Sequence, residues 1–244
     1  METKKVIERL AHKKGADYFG VAGLQRAAGK ATTPYEAKMI SKYPAAISIG
    51  VSLLSGIVDG LADSEDYFAL KNYYYHVYQV INPRINEITL EIGRLLMDKG
   101  FNSLIIPASQ TVDITNLTGL FSHKMAASLA GLGWIGKSCL LITPDRGQRV
   151  RWGTILTDAP LAADEPSPAD KCGGCKQCIE ACPARAFSGK AWKQSDAREV
   201  RMDAKKCLSY LRVTRKQTAG IEACGICVYS CPFGKGQREK RTRK

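Results

Sequence analysis

The chain has no uncharged stretch long enough to cross a membrane. The longest, from Tyr43 to Val58, falls short of the roughly 18 apolar residues a spanning helix needs, and Pro, Ser and Gly interrupt it. It reads instead as a buried strand followed by a loop. The opening residues, Met-Glu-Thr-Lys-Lys-Val, do not resemble a signal peptide. A cytoplasmic protein is therefore expected, with no membrane partner and with its thiols free of disulfides. No tandem repeat is present apart from two related cysteine runs. Histidine is scarce, with three in 244 residues, so few side chains can titrate near neutral pH. Acids are also short, 23 against 36 Lys and Arg, which leaves a formal charge of +13. Hydrophobic content of 45% and charged content of 24% are those of an ordinary globular protein.

Cysteine is what the chain does have, and eight of its nine lie in the last third. The first run is Cys172-Gly-Gly-Cys175-Lys-Gln-Cys178-Ile-Glu-Ala-Cys182-Pro183. Its C-x2-C-x2-C-x3-C-P spacing is that of a bacterial-type ferredoxin site, in which three close thiolates wrap one cubane and the fourth cysteine serves the other. Proline after the fourth keeps the chain from folding back with it. The second run, Cys224-Gly-Ile-Cys227-Val-Tyr-Ser-Cys231-Pro232, lacks one ligand, because Ile221 stands where Cys172 stands in the first. Each cubane needs four thiolates, so Cys207 is recruited. The expected sets are Cys172, Cys175, Cys178 and Cys231 for one [4Fe–4S] cluster, and Cys182, Cys207, Cys224 and Cys227 for the other. Two C-x2-C pairs also suit a four-cysteine zinc site, but the triple at x2 spacing and the two Cys-Pro exits are not the zinc-ribbon layout. Cys139 has no partner at ligand spacing and reads as a small buried hydrophobe.

Two oxidised clusters at about −2 each bring the formal charge to about +9. Part of the excess is local. Residues 235–244 hold six bases against Glu239, a basic tail suited to nucleic acid or an acidic partner, or simply to solvent.

Upstream, apolar periodicity marks a helix over Thr3 to Lys14, strands at Tyr18–Val21 and Ala45–Val51, and an aromatic-rich helix over Glu65 to Gln79. Asn82-Pro83 reads as an N-cap and first-turn proline, with Ile85, Ile88, Ile92, Leu95 and Leu96 on one helix face. Strands follow at Ser103–Ile106, Cys139–Ile142 and Val150–Leu156, and a helix at Ser122–Leu129. This alternation predicts an α/β (α+β layered) domain over residues 1–160. Residues 158–170, with three prolines and four acids, read as a linker to a ferredoxin-like double-cluster domain over residues 171–234. That second domain is too small and too poor in apolar runs to fold on its own core, so metal ligation is expected to stabilise it.

The stretch Ala130-Gly-Leu-Gly-Trp-Ile-Gly-Lys137, ahead of the turn Pro144-Asp-Arg-Gly147, is distinctive. With the cysteine pattern and Lys206-Cys207-Leu-Ser-Tyr-Leu211, it resembles the epoxyqueuosine reductase family. These are relatives of the reductive dehalogenases, with a corrinoid-binding α/β domain and two [4Fe–4S] clusters. The resemblance implies an iron–sulfur reductase in which the clusters pass electrons to cobalamin, fed by a ferredoxin or flavodoxin. It also implies a small-molecule or nucleoside substrate, with tRNA as a partner of the family. No Asp-x-His-x-x-Gly motif is present, but the family holds its corrinoid without a protein histidine on cobalt. Gly131, Gly133, Trp134, Gly136 and Lys137 become the expected corrinoid seat; the alternative is a tight helix-to-strand turn with Trp134 in the core. Lys124 and Lys137 can hold corrin carboxamides or an anionic substrate, or face solvent. Tyr73 to Tyr75 can line a pocket or fill the core.

The chain departs from the family twice. The position of the family's acidic proton donor falls on Leu117 or Thr118, which leaves Asp113 or His123 as the acid, and the family's C-terminal tRNA-gripping repeats have no counterpart before Lys244. A paralogue is expected, with a ferredoxin-type carrier serving a partner enzyme as the alternative.

Overall fold

The computed structural model describes residues 2–28, 33–63, 66–166, 170–193 and 195–235. In chain order its elements begin with α1 (Glu2–Lys13), β1 (Tyr18–Gly23), α2 (Pro34–Lys42), β2 (Ala45–Ser52), α3 (Ser55–Asp59), α4 (Tyr67–Tyr74) and α5 (Asn82–Asp98). Next come β3 (Ser103–Ile106), α6 (His123–Leu129), β4 (Trp134–Ile135), β5 (Leu141–Ile142) and β6 (Val150–Thr157). The cysteine-rich part carries α7 (Gln177–Glu180), α8 (Ala204–Tyr210), α9 (Lys216–Ala219) and α10 (Ile226–Ser230). No helix among the described residues is long and apolar enough to cross a membrane.

The expected layered arrangement is present, built on a four-stranded sheet of order β1-β2-β6-β3 in which every neighbouring pair is antiparallel. Alternation along the strands divides their side chains between two helical layers. Val21, Ile47, Ile49 and Ile155 join Ile7 of α1 and Ile85, Ile88, Ile92 and Leu96 of α5 in the main core. Ala22, Ala46, Ile106 and Leu156 meet Met125, Ala126 and Leu129 of α6 on the other side. Each fully buried Ile or Leu of α5 contributes about 1.5–3 kcal/mol before the entropy of ordering it is subtracted. On the α6 face the alanines of β1 and β2 leave the helix room to approach.

Asn82 is not a helix start. The chain is helical from Tyr67 to Asp98, with a π-helical segment at Tyr75–Ile81, and Asn82 has φ −62° and ψ −48°. Pro83 has no N–H to return to the preceding turn, and the wider π register absorbs that loss inside a continuous helix. At α6 the expected start holds: the Ser122 hydroxyl accepts from the Met125 N–H at 3.3 Å.

The linker segment is pinned in its described part. Asp164 exchanges backbone hydrogen bonding with Val21 through Asp164 N to Val21 O (2.8 Å), and its carboxylate accepts from Val21 N (2.8 Å) and pairs with Lys4 (2.5 Å). Beyond it, Ala219, Ile221, Ala223, Ile226 and Val228 belong to the same core as Leu61, Leu70 and Tyr73. The cysteine-rich part therefore shares the first domain's core, so its packing does not rest on ligation alone. Of the basic tail, residues 236–244 lie outside the described residues; Lys235 sits over the Tyr229 ring, 4.4 Å from its centroid.

Candidate cluster and cavity site

The eight cysteines gather into two groups. Cys178, at the head of α7, has Cys231, Cys172 and Cys175 as neighbours, and these four line a small void of about 20 Å³ together with Lys137, Ile142, Gln148, Pro232 and Phe233. Cys207, on α8, neighbours Cys182 and Cys224; Cys227, on α10, neighbours Cys224, Cys207 and Cys182, with Cys178 further off. Cys182 and Cys231 thus cross between the runs, and Cys178 and Cys227 face one another between the groups. No disulfide forms.

Burial pushes the Cys178 and Cys207 thiols up to about 11, and neighbouring thiols add to the effect. Uncomplexed they stay protonated at neutral pH; bound iron supplies the positive charge that removes the proton. Donors are already aimed at the sulfurs. Backbone N–H groups of Ile226 and Phe233 point at Cys224 and Cys231, and the Gln148 side chain also points at Cys231. Such N–H···S bonds are one of the levers on cluster potential.

The Ala130–Lys137 segment packs against this centre. A Cβ on Gly131, whose φ is +77°, would lie 2.4 Å from the Glu165 carbonyl oxygen. One on Gly133 would lie 2.2 Å from the Ile142 carbonyl oxygen, and one on Gly136 would meet Ile142 Cδ1 at 2.3 Å and Cys172 Sγ at 3.2 Å. Protein therefore occupies the side-chain direction of each of these three glycines. Trp134 is buried and packs edge-on against Phe233, with ring centroids 4.9 Å apart. Lys137 Nζ donates to the carbonyls of Gly173 (2.6 Å) and Cys175 (3.1 Å), clamping the first cysteine loop.

Beside the clusters lies a cavity of about 610 Å³. Gln148 lines both it and the void among the first four cysteines, so the two spaces share one wall residue. Tyr73 lines the cavity while neighbouring Cys227 and Cys224; Tyr74 and Tyr75 do not line it. Trp152, Trp192, Phe121 and Ile135 supply apolar wall. Thr118 Oγ1, Gln148 Oε1, Trp152 Nε1 and Arg201 Nε on this wall are buried with no hydrogen-bond partner. Native proteins rarely leave such atoms unpaired, which makes this wall unusual among the described residues.

Both sequence-derived acids reach this cavity. His123 has its two ring nitrogens engaged: Nε2 with the Pro107 carbonyl at 3.2 Å, and Nδ1 with the Thr154 hydroxyl at 2.8 Å. The carbonyl can only accept, so Nε2 carries the proton and Thr154 donates to Nδ1. Burial, with the Arg151 charge, holds the ring's pKa at about 4 despite the Pro107 bond. Asp113 sits on a loop closed by its bridge to Thr118, and its carboxylate accepts from the N–H groups of Thr115 and Asn116 and from the Asn116 amide. These bonds favour its ionised form and lower its pKa. Arg198 clasps this loop through the carbonyls of Leu117 (2.7 Å) and Asn116.

Lys124 turns into the cavity wall and donates to the Cys139 carbonyl at 2.9 Å; burial lowers its pKa, with Arg201 and Arg198 adding to the effect and Cys139 and Glu36 opposing it. Cys139 is buried as expected, with φ +58°. Sequence reading missed Gln148, Glu36, Arg198 and Arg201. They come from separate segments, and no local spacing marks them.

Residues 171–234 match the family described as a 4Fe-4S double cluster binding domain. An epoxyqueuosine reductase of Listeria monocytogenes is 36% identical over 128 residues, covering 49% of this chain and 31% of that protein. One of Gloeobacter violaceus is 36% identical, covering 48% and 37%, and one of Synechococcus is 31% identical, covering 65% and 46%. The matched stretch is thus about a third to a half of these relatives' length. In solved structures, a catabolic reductive dehalogenase in complex with 3-bromo-4-hydroxybenzoic acid superposes with a TM-score of 0.71 at 22% identity, covering 96% of this chain and 32% of that one. An epoxyqueuosine reductase from Bacillus subtilis, with its catalytic loop swung out of the active site, gives 0.62 at 19% identity, covering 98% and 67%. At these identities the superpositions establish the fold. The resemblance to epoxyqueuosine reductases therefore holds in sequence and in fold, the reductive dehalogenase shares the fold, and the C-terminal part is an iron–sulfur double-cluster domain.

Proposed function

We propose that the chain is an iron–sulfur reductase that passes electrons through two [4Fe–4S] clusters to a substrate bound in the 610 Å³ cavity, with cobalamin as the reducing centre. The observation that carries this reading is Gln148, one side chain lining both the cavity and the void among four cysteines. Cys172, Cys175, Cys178 and Cys231 would hold the cluster next to the cavity, and Cys182, Cys207, Cys224 and Cys227 the second. Bound cobalamin would supply a strongly reducing cobalt. His123, with both ring nitrogens engaged, is not free to ligate cobalt, in keeping with a family that uses no histidine there.

The chain's own residues then have separable tasks. The apolar wall excludes water, and the cationic wall orients the substrate. Proton delivery falls to Asp113 more readily than to His123. The Asp113 carboxylate is tied only within its own loop, whose Leu117 and Asn116 carbonyls Arg198 holds, so opening that loop frees it, whereas His123 is tied to two different segments. A ferredoxin or flavodoxin is the proposed electron donor, with a nucleoside-like or other small substrate and a cytoplasmic setting.

Anaerobic purification with iron, sulfide and cobalt counted per chain, followed by calorimetric titration with cobalamin, tests this reading. About eight irons with stoichiometric cobalamin binding is expected. About eight irons with no corrinoid affinity would make the chain a ferredoxin-type carrier, and stoichiometric zinc without iron would exclude both.

A further inference from the structure

Three cations meet on one wall of the cavity, and their counter-charges do not cover them all. Lys124, Arg198 and Arg201 all line it, and the Lys124 amine feels both guanidinium groups. Arg198 pairs with Glu199 at 2.8 Å, and Glu36 acts on Lys124. Arg201 remains. It is only 3% exposed, yet among the described residues no carboxylate forms an ion pair with it, although Glu199 is near enough to feel its charge. Its one side-chain hydrogen bond there is a long one, from Nη1 to Cys139 Sγ at 3.6 Å, and its Nε has no partner. A buried guanidinium without an anion is among the costlier things a fold can retain, because the desolvation of the charge goes unrepaid. Arg201 and Lys124 also converge on one residue, the first at the Cys139 thiol and the second at its carbonyl, so the two cations are held side by side. Of the other charged residues lining the cavity, Arg151 bonds Asn82 and Ser109, Asp113 bonds its own loop, and Asp196 forms no ion pair with Arg201 among the described residues.

We propose that Arg201 and Lys124 form an oxyanion site in the cavity, which takes the carboxylate or phosphate group of the molecule bound there. Arg201 presents a planar fork that matches two oxygens, and Lys124 adds a point charge beside it. The inference rests on the cavity being the reactive site. It narrows that site's occupants to molecules carrying an acid group, which can belong to the substrate or to the phosphodiester of a bound cobalamin.

The test is calorimetry on the anaerobically purified, cluster-loaded chain, with benzoate, benzamide and inorganic phosphate as probes, then cobalamin against cobinamide, which lacks the phosphodiester. If the acid belongs to the substrate, benzoate or phosphate binds on the order of tenfold or more tightly than benzamide, and R201Q and K124M each remove most of that preference. If it belongs to the cofactor, R201Q weakens cobalamin by a similar factor and leaves cobinamide unchanged. R201K, which keeps the charge, is expected to retain part of the effect and guards against a variant that fails to fold. The proposal is overturned if the wild type shows no preference for anions and R201Q changes neither corrinoid, or if a preference survives intact in both R201Q and K124M. Iron content and cobinamide binding are read on the same sample, so failure of the oxyanion site is distinguishable from failure of the reductase reading.

Discussion

Acidification separates two roles for His123, a tie within the fold and a proton donor near neutral pH. Its pKa is about 4 in the folded chain, against 6.5 for an ordinary histidine. A folded-state value lowered in this way means that, below pH 6.5, the unfolded chain binds a proton that the folded chain refuses, so stability falls as pH falls. The loss is absent above about pH 7, grows between 6.5 and 4, and levels off below. It corresponds to about 2 kcal/mol at pH 5 and roughly 3 kcal/mol when complete. The ring faces the cavity, and water drawn in on protonation trims these figures. Replacing His123 with Gln removes the titration and keeps one of the two hydrogen bonds at best. At pH 7 the variant should be about 1 kcal/mol less stable than the wild type. At pH 5 the order should close or invert, because only the wild type carries the protonation penalty. Urea unfolding of both proteins at the two pH values measures this, and the ring Cε1–H resonance gives the titration directly, with only three histidines to assign. A ring titrating near 6.5, or a gap between the proteins that is the same at both pH values, would refute the reasoning and return His123 to the role of acid.

The ligand sets predict that Cys207→Ser lowers iron from about eight to about four per chain, with sulfide falling in step, while Cys139→Ser leaves both counts unchanged. Retention of eight irons by the Cys207 variant would move the second cluster's fourth ligand elsewhere. Gly133→Ala drives a Cβ to 2.2 Å from the Ile142 carbonyl oxygen, a backbone atom that cannot step aside, and should cost about 3 kcal/mol or more in a denaturant midpoint measurement. An unchanged midpoint would mean that the β4–β5 turn is looser than described. Gln148→Leu removes an N–H donor from Cys231 and should lower the potential of the first cluster by roughly 20–60 mV in a redox titration followed by electron paramagnetic resonance. The second cluster, which Gln148 does not touch, should keep its potential.

What was legible in the sequence is what local spacing encodes. The cysteine runs declared both clusters, and the gap at Ile221 pointed to Cys207, because ligand identity and interval are written within a dozen residues. In the fold Ile221 is a core residue, which gives that substitution a purpose. Strand positions were legible for the same reason, since each strand's period is its own. The antiparallel order β1-β2-β6-β3 was not, because β6 enters between β2 and β3 from far along the chain. The glycines of Ala130–Lys137 show the boundary most clearly. Sequence tells that a side chain is unwelcome at these positions, but what excludes it is Glu165, Ile142 and Cys172, and only the fold brings those three to the segment. The cavity wall lies wholly beyond that boundary. Glu36, Lys124, Gln148 and Arg201 arrive from four segments, each unremarkable where it stands in the chain. Their meaning is a property of enclosure: a guanidinium in water needs no partner, whereas Arg201, shut in beside Lys124, asks for an anion.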